Sequence, residues 1–336
     1  MTTRERPTLE AVARRAGVSR ATVSRVVNGS TTVAATIREA VTRAVEELGY
    51  VPNQAARSLV TRQTDSIALI LPETANRVFS DDLFFPAIIR GVGSELEAAD
   101  KQLVLMMAGS AAGYHRVERY AVAGHVDGVM FASIHGADPL PGLLARRGIP
   151  VICSGRPMAA SPPVPYVDVD HAGGVAAAIK HLIESGRRRI ATIAGPGDMV
   201  AGLERLNGYT GALRDAGLPA LVTTGDFTRE SGISAMCELL DREPGLDAVF
   251  AASDLMAHGA LQALRSAGRA VPDDVAVIGF DDFDISRYSD PPLTTVRQPI
   301  AEAGRVMASQ MLRLTAGEDI EPSIILPTEL IIRASA

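Results

Sequence analysis

Tryptophan is absent from the 336-residue chain and aromatic residues make up only 4% of it. Any stacking on a bound ring therefore falls to Phe or Tyr. Cysteine is almost absent too: Cys153 and Cys237 provide neither a disulfide framework nor a metal-ligand spacing. No stretch reaches 18 uncharged apolar residues, which excludes a membrane helix. Met1–Pro7 holds no apolar core or cleavage site of a secretory signal, so a reducing cytoplasm is the expected location. Only two of the 33 basic residues are lysines, Lys101 and Lys180, a bias that reflects nucleotide composition rather than function. Enzyme signatures are missing as well. No Gly-x-Gly-x-x-Gly opens a helix after a strand, and there is neither a Gly-x-Ser-x-Gly elbow nor a phosphate-binding P-loop. The six histidines (His115, His125, His135, His171, His181, His258) form no metal pair at helical spacing. Neither a catalytic site, a metal nor a cofactor is expected.

What is present describes a folded protein. The chain is 47% hydrophobic and 21% charged, with mean hydropathy +0.14, enough apolar surface to offset chain entropy over two or three domains. Its net charge of −6 argues at first sight against nucleic acid. That number averages two unlike parts. Residues 1–63 carry ten arginines against five glutamates, a net of +5, and the remainder carries −11. Such a contrast points to a nucleic-acid-binding arm on an acidic body.

The basic segment has a specific pattern. Thr8 is placed to cap a helix over Leu9–Ala16, with Leu9, Val12, Ala13 and Ala16 on one face. Gly17 turns the chain, and Ser19 caps a second helix from Arg20 to about Asn28 whose Val23, Val26 and Val27 face inward. A third helix follows, with Ile37, Val41, Val45 and Leu48 on one stripe and Gly49 as its stop. This is helix-turn-helix patterning, and the outer face of the second helix is polar and basic, as a recognition helix requires. Pro52 to about Arg62 reads as a marginal helix of roughly two turns, too short to be stable alone.

Two segments, Thr8-Leu-Glu-Ala-Val-Ala-Arg-Arg-Ala-Gly-Val-Ser-Arg-Ala-Thr-Val-Ser-Arg-Val-Val-Asn-Gly29 and Glu47-Leu-Gly-Tyr-Val-Pro-Asn-Gln-Ala-Ala-Arg-Ser-Leu59, resemble the N-terminus of the lactose-repressor (LacI/GalR) family without a gap. The resemblance implies that Arg20, Ala21 and Arg25 read base edges in the major groove, where arginine bonds guanine O6 and N7 together and alanine offers at most a methyl contact to thymine. Ser19, Thr22, Ser24, Asn28 and Thr32 match positions that hold phosphates and fix register. The same resemblance makes 51–64 a hinge helix and linker, with Asn53 and Arg57 at the DNA and Leu59 wedged between base steps of the minor groove.

From about Ser66 short buried-type strands alternate with amphipathic helices. One set of strands covers Ile67–Leu71, Leu103–Met107, Gly128–Phe131 and Val151–Cys153, and a second covers Ile190–Ile193, Ala248–Phe250 and Val275–Ile278. Two such sets predict two doubly wound α/β subdomains with a cleft at the carboxyl ends of their strands. The resemblance implies the same body, like a periplasmic sugar-binding protein, with crossovers near residues 163, 292 and 321. The expected fold is thus an all-α helix-turn-helix domain (1–50), the hinge (51–64) and an α/β periplasmic-binding-protein-like body (65–336). Its subdomain 1 spans about 65–162 and 293–320, and subdomain 2 about 163–292 and 321–336.

Matched position by position, the family's effector site falls on Phe84, Phe85, Arg156, Arg205, Phe227, Ser253, Asp281 and Gln298. The guanidinium fork of Arg205 suits a polyol, and Asp281, after a buried strand, would accept hydroxyl hydrogen bonds. An Arg205–Asp281 structural ion pair and core roles for the phenylalanines are the alternatives. Two departures from the family bear on the ligand: position 201, often a small hydroxylated residue, is Ala201, and Ala75–Asp82 lengthens the loop before Phe84, bringing Asp81 or Asp82 within range of a larger ligand. The resemblance therefore implies a transcriptional regulator, expected to repress, that binds a palindromic double-stranded operator as a homodimer. A small-molecule effector, expected to be a sugar or oligosaccharide, would control it. The family's tetramers add a C-terminal leucine-heptad helix, whereas here the strand expected over Ser323–Arg333 runs almost to Ala336, so a dimer is expected. The alternatives are a soluble sugar-binding protein and an α/β enzyme.

Overall fold

The computed structural model describes residues 7–27, 32–51, 63–158 and 161–336. The chain forms two compact units, Met1–Thr64 and Asp65–Ala336. In the first, α1 (Leu9–Ala16) is capped by Thr8, whose hydroxyl accepts the Ala11 N–H at 3.3 Å, and it ends on Gly17 at φ 69°. The Ser19 hydroxyl accepts the Thr22 N–H at 3.1 Å and opens α2 (Arg20–Val27). The third helix, α3 (Ala35–Leu48), stops at Gly49 with φ 62°. Val12, Ala13, Val23, Val41, Ala44 and Tyr50 form the shared core. One expected core position fails: Ile37 is exposed, and Ala44 faces inward instead. At fourteen residues α3 outruns its eight-residue partners, so its first turn has little to pack on.

The body contains two six-stranded sheets. The first comprises β1 (Ser66–Leu71), β2 (Gln102–Met107), β3 (Gly128–Phe131), β4 (Val151–Ser154), β5 (Tyr166–Val169) and β11 (Ser323–Leu326). The second comprises β6 (Ile190–Ala194), β7 (Leu221–Thr224), β8 (Ala248–Ala251), β9 (Ala276–Asp281), β10 (Thr294–Arg297) and β12 (Glu329–Ile331). Their orders, β11-β5-β4-β3-β1-β2 and β12-β10-β9-β8-β6-β7, are the same doubly wound arrangement used twice. Every described pairing is parallel except that of β12 with β10. Alternate residues of β1 enter opposite cores, Ile67, Leu69 and Leu71 on one side and Ala68 and Ile70 on the other. A strand buried on both faces explains its unbroken apolar sequence. Among the described residues, no helix is long and apolar enough to cross a membrane.

The crossovers lie later than the sequence suggests. β5 stays in the first sheet, β10 stays in the second, and residues 323–333, expected as one strand, hold two strands in different sheets. The chain thus changes lobe after residues 169, 297 and 326 rather than near 163, 292 and 321. Pro327, which has no N–H to continue a ladder, stands at the last break.

The remaining helices among the described residues are α4 (Ala75–Val78), α5 (Phe84–Ala98), α6 (Ala111–Val122), α7 (Leu140–Arg146), α8 (His171–Glu184), α9 (Val200–Asp215), α10 (Arg229–Arg242), α11 (Asp254–Ser266), α12 (Asp284–Tyr288) and α13 (Ile300–Thr315). Helix α13 returns to the first lobe and packs on α5 through two glycines. A Cβ on Gly91 would lie 1.9 Å from the Ala301 carbonyl oxygen, and one on Gly304 would lie 2.6 Å from that of Ile88. Gly91→Ala should therefore lower the unfolding free energy of the body by about 2 kcal/mol in urea titrations; unchanged stability would show that the two helices are not in this contact.

Candidate functional site

Both sheets reverse their winding once, between β1 and β3 in the first and between β6 and β8 in the second. Loops leaving the carboxyl ends at these points diverge and leave a crevice. A cavity of about 350 Å³ lies there, and all eight expected effector positions line it: Phe84, Phe85, Arg156, Arg205, Phe227, Ser253, Asp281 and Gln298. They differ in what they offer. Phe85 is buried in the first-lobe core and contributes wall, whereas Phe84, edge-on to it at 5.5 Å, is half-buried. The Ser253 hydroxyl is occupied as the N-cap of α11, accepting the Met256 N–H at 3.2 Å. Ala201 also lines the cavity, with no hydroxyl to offer.

Arg205, on α9, is the centre of the site. Its side chain is 5% exposed and lies 3.8 Å from the centroid of Phe280 and 5.6 Å from that of Phe227. Nη1 donates to the Ala252 carbonyl at 2.5 Å and Nε to His171 Nδ1 at 3.3 Å. Asp281 Oδ1 stands 3.8 Å from Nη1 and accepts the Gln298 amide at 2.5 Å. Ion pair and cleft lining, posed as alternatives in the sequence, coexist. Burial pushes the Asp281 carboxyl well up, against the pull of Arg205 and with repulsion from Asp254 and Asp82 added. Phe227 takes φ 65°, and its ring lies over Gly195, where a Cβ would come within 2.4 Å of Cζ. Gly195 is therefore required for the aromatic wall.

The sequence reading missed the rest of the polar lining. Glu73, Arg77, His135, Asp168, His171 and Asp226 all face the cavity. His135 follows β3, a recognised strand, so applying the carboxyl-end rule to every strand would have found it; Asp168 sits on β5, which was not recognised. Of the two acids in the lengthened loop, Asp82 lines the cavity, paired with Arg77 at 2.8 Å. The cations of the lining are each met by a carboxylate: Arg77 by Asp82, Arg205 by Asp281, Arg156 by Glu204 at 2.5 Å, and His135 by Glu73 at 3.0 Å and Asp198 at 2.9 Å. Two of these contacts join the lobes, since Arg156 and His135 belong to the first and Glu204 and Asp198 to the second. The described residues contain no cluster of His, Cys, Asp or Glu able to hold a metal ion.

In the first unit Ser19, Arg20, Ala21, Arg25 and Thr32 are exposed, while Thr22 and Ser24 are half-buried. Arg20 pairs with Glu10 across α1 and α2 at 3.1 Å, and the Ser19 and Thr22 hydroxyls are 2.9 Å apart. One face of α2 thus carries the expected base-reading side chains while Val23 holds the other face in the core. Asn28, Asn53, Arg57 and Leu59 lie outside the described residues.

Residues 8–53 match the bacterial regulatory proteins of the lacI family, and residues 179–336 match the periplasmic binding protein-like domain. The HTH-type transcriptional regulator CelR of Thermobifida fusca is 51% identical over 340 residues, covering all of both chains. The chain belongs to the lacI family. Another member, the HTH-type transcriptional repressor CytR of Escherichia coli K12, is 34% identical over 98% of this chain and 96% of its own. Among solved structures, a CelR–cellobiose complex superposes with TM-score 0.78 at 49% identity, covering 98% of this chain and 100% of that one. The lac repressor dimer bound to operator and the anti-inducer ONPF superposes with TM-score 0.83 at 28% identity, covering 98% and 99%. As a lacI-family member the chain is a DNA-binding transcriptional regulator and not an enzyme.

The bridge between the lobes carries a pH signature. The hydrogen bond to Glu73 raises the His135 pKa to about 9 against an opposing burial effect, with Asp198 adding to the rise. A histidine whose pKa is higher folded than unfolded stabilises fully below about 6.5, and that contribution disappears as pH rises through about 9. The ring is about one-third exposed, so solvent screening reduces the effect. The melting temperature of the wild type should fall more steeply between pH 6.5 and 9.5 than that of His135→Gln. Parallel profiles would show that the bridge is not ionic.

Proposed function

We propose that this regulator controls transcription through a neutral disaccharide of the cellobiose class held between its lobes. The observation that carries this reading is the charge balance of the cleft. Each of its cations already faces a carboxylate, which leaves no unmatched positive charge for a phosphate or a carboxylate ligand. What the cavity offers is hydrogen-bonding groups beside aromatic faces, the chemistry of a polyol ring. Nε and Nη1 of Arg205 are occupied by protein acceptors, so Nη2 is the donor left for a hydroxyl, and Asp281 Oδ2 is the matching acceptor. The roughly 350 Å³ volume suits a small ligand of this kind. The CelR–cellobiose complex of a relative 49% identical supports the choice of sugar.

On the DNA side, two copies of α2 on a twofold dimer would enter successive major grooves of a palindromic operator. Arg20 and Arg25 would read bases while Ser19, Thr22 and Ser24 fix the register. The lac repressor dimer on its operator supports this arrangement, and a DNA target fits a cytoplasmic location. Repression is the simplest consequence of an operator-bound dimer. Ligand would act by favouring one lobe arrangement over another.

Thermal denaturation with added sugars tests the reading. Millimolar cellobiose should raise the melting temperature, because a ligand stabilises the state it binds. Glucose 6-phosphate, which brings two negative charges to a balanced cleft, should not. A shift with the phosphate and none with cellobiose would sink the proposal.

A further inference from the structure

His171 is the first residue of α8, immediately after the chain leaves the first sheet at the end of β5. Its ring is almost wholly buried and lies beside Phe280, with centroids 5.8 Å apart and a 39° tilt. Nδ1 lies 3.3 Å from Arg205 Nε, and Nε2 lies 3.0 Å from Asp168 Oδ1. An arginine N–H can only donate, so Nδ1 must present a lone pair, and the proton must reside on Nε2, directed at Asp168. This geometry fixes both the neutral state and the tautomer. Burial and the Arg205 charge lower the histidine pKa, against the pull of Asp168.

The Asp168 carboxylate is itself fixed. Oδ1 also accepts the Val169 N–H at 2.9 Å, and Oδ2 accepts the Arg156 N–H at 3.1 Å. Arg156 in turn reaches Glu204, the neighbour of Arg205 on α9. The contacts therefore run from β4 and β5 of the first lobe, across the crossover, to the guanidinium at the centre of the cleft. Arg205 and Glu204 on one side and Arg156 and Asp168 on the other are the charged groups around the ring; Asp281 lies beyond Arg205.

We propose that His171 is a positioning residue for Arg205: as a neutral Nε2–H tautomer it aims the guanidinium at the ligand and ties that aim to the Asp168 crossover. The proposal rests on the reading of the cleft as a neutral-sugar site. It accounts for a buried histidine that contributes to no metal site, and it makes this residue, rather than the ligand contacts alone, a determinant of affinity.

The full chain is titrated with cellobiose by calorimetry as wild type, His171→Phe and His171→Gln. Phe keeps the ring packed on Phe280 but removes both polar atoms. Gln loses the ring but restores one acceptor and one donor at a similar separation. Positioning predicts that Phe weakens cellobiose binding roughly tenfold or more while Gln stays within about threefold of wild type. A purely packing role predicts the reverse order and would overturn the proposal, as would a Phe variant that binds like wild type. Nitrogen-15 NMR of the ligand-free protein separates this inference from the choice of sugar. A His171 ring protonated on Nε2 alone at pH 7 supports positioning even if cellobiose fails to bind, whereas protonation on Nδ1 contradicts it.

Discussion

A guanidinium buried in an acidic crevice is the constraint around which the body is organised. Removing such a charge from water is unfavourable unless its donors are satisfied and a counter-charge lies near. Arg205 meets both conditions with groups from separate parts of the chain: Ala252 after β8, His171 at the start of α8, Asp281 at the end of β9 and the face of Phe280. Asp281 pays part of the cost in backbone strain, holding φ at 123°. Such strain persists because β9 is paired on both sides and buried along its whole length.

The same residues explain how a cleft can act as a switch. Its two walls are covalently joined only where the chain crosses between lobes, after β5, after β10 and between β11 and β12. Non-covalent bridges at its edges, Arg156–Glu204 and His135–Asp198, are polar and partly exposed. Exposed ion pairs contribute little each, so these two bridges oppose lobe motion weakly, while Phe283 of the second lobe, packed in the first-lobe core, adds an apolar contact. A ligand with a modest preference for one arrangement can then shift the population.

Much of this was legible in the sequence, for identifiable reasons. The N-caps of α1 and α2 and the glycine stop of α1 are local chemistry, so Thr8, Gly17 and Ser19 mark those boundaries directly. Strands buried on both faces, such as β1, announce themselves as unbroken apolar runs. Strand β5 did not, because Tyr166-Val-Asp-Val169 alternates in burial and carries an acid toward the cleft. Lobe crossovers were misplaced by several residues because membership of a sheet is decided by pairing partners far away in sequence, as when β5 pairs with β11. The eight cleft positions follow from family resemblance and Glu73 and His135 lie just beyond recognised strands, whereas Asp168 and His171 flank the end of β5, a strand the sequence pattern does not reveal. The minor-groove role expected of Leu59 lies outside the described residues.

The proposed function requires one molecule to couple ligand binding in the cleft to DNA reading by α2. Operator affinity decides whether it does, compared with and without saturating cellobiose at fixed salt on a duplex selected from a random-sequence pool. Coupling should change it by at least about fivefold, an effect lost in Arg205→Ala while that variant binds the operator as tightly as the ligand-free wild type. An operator affinity in the wild type that cellobiose leaves unchanged would contradict it.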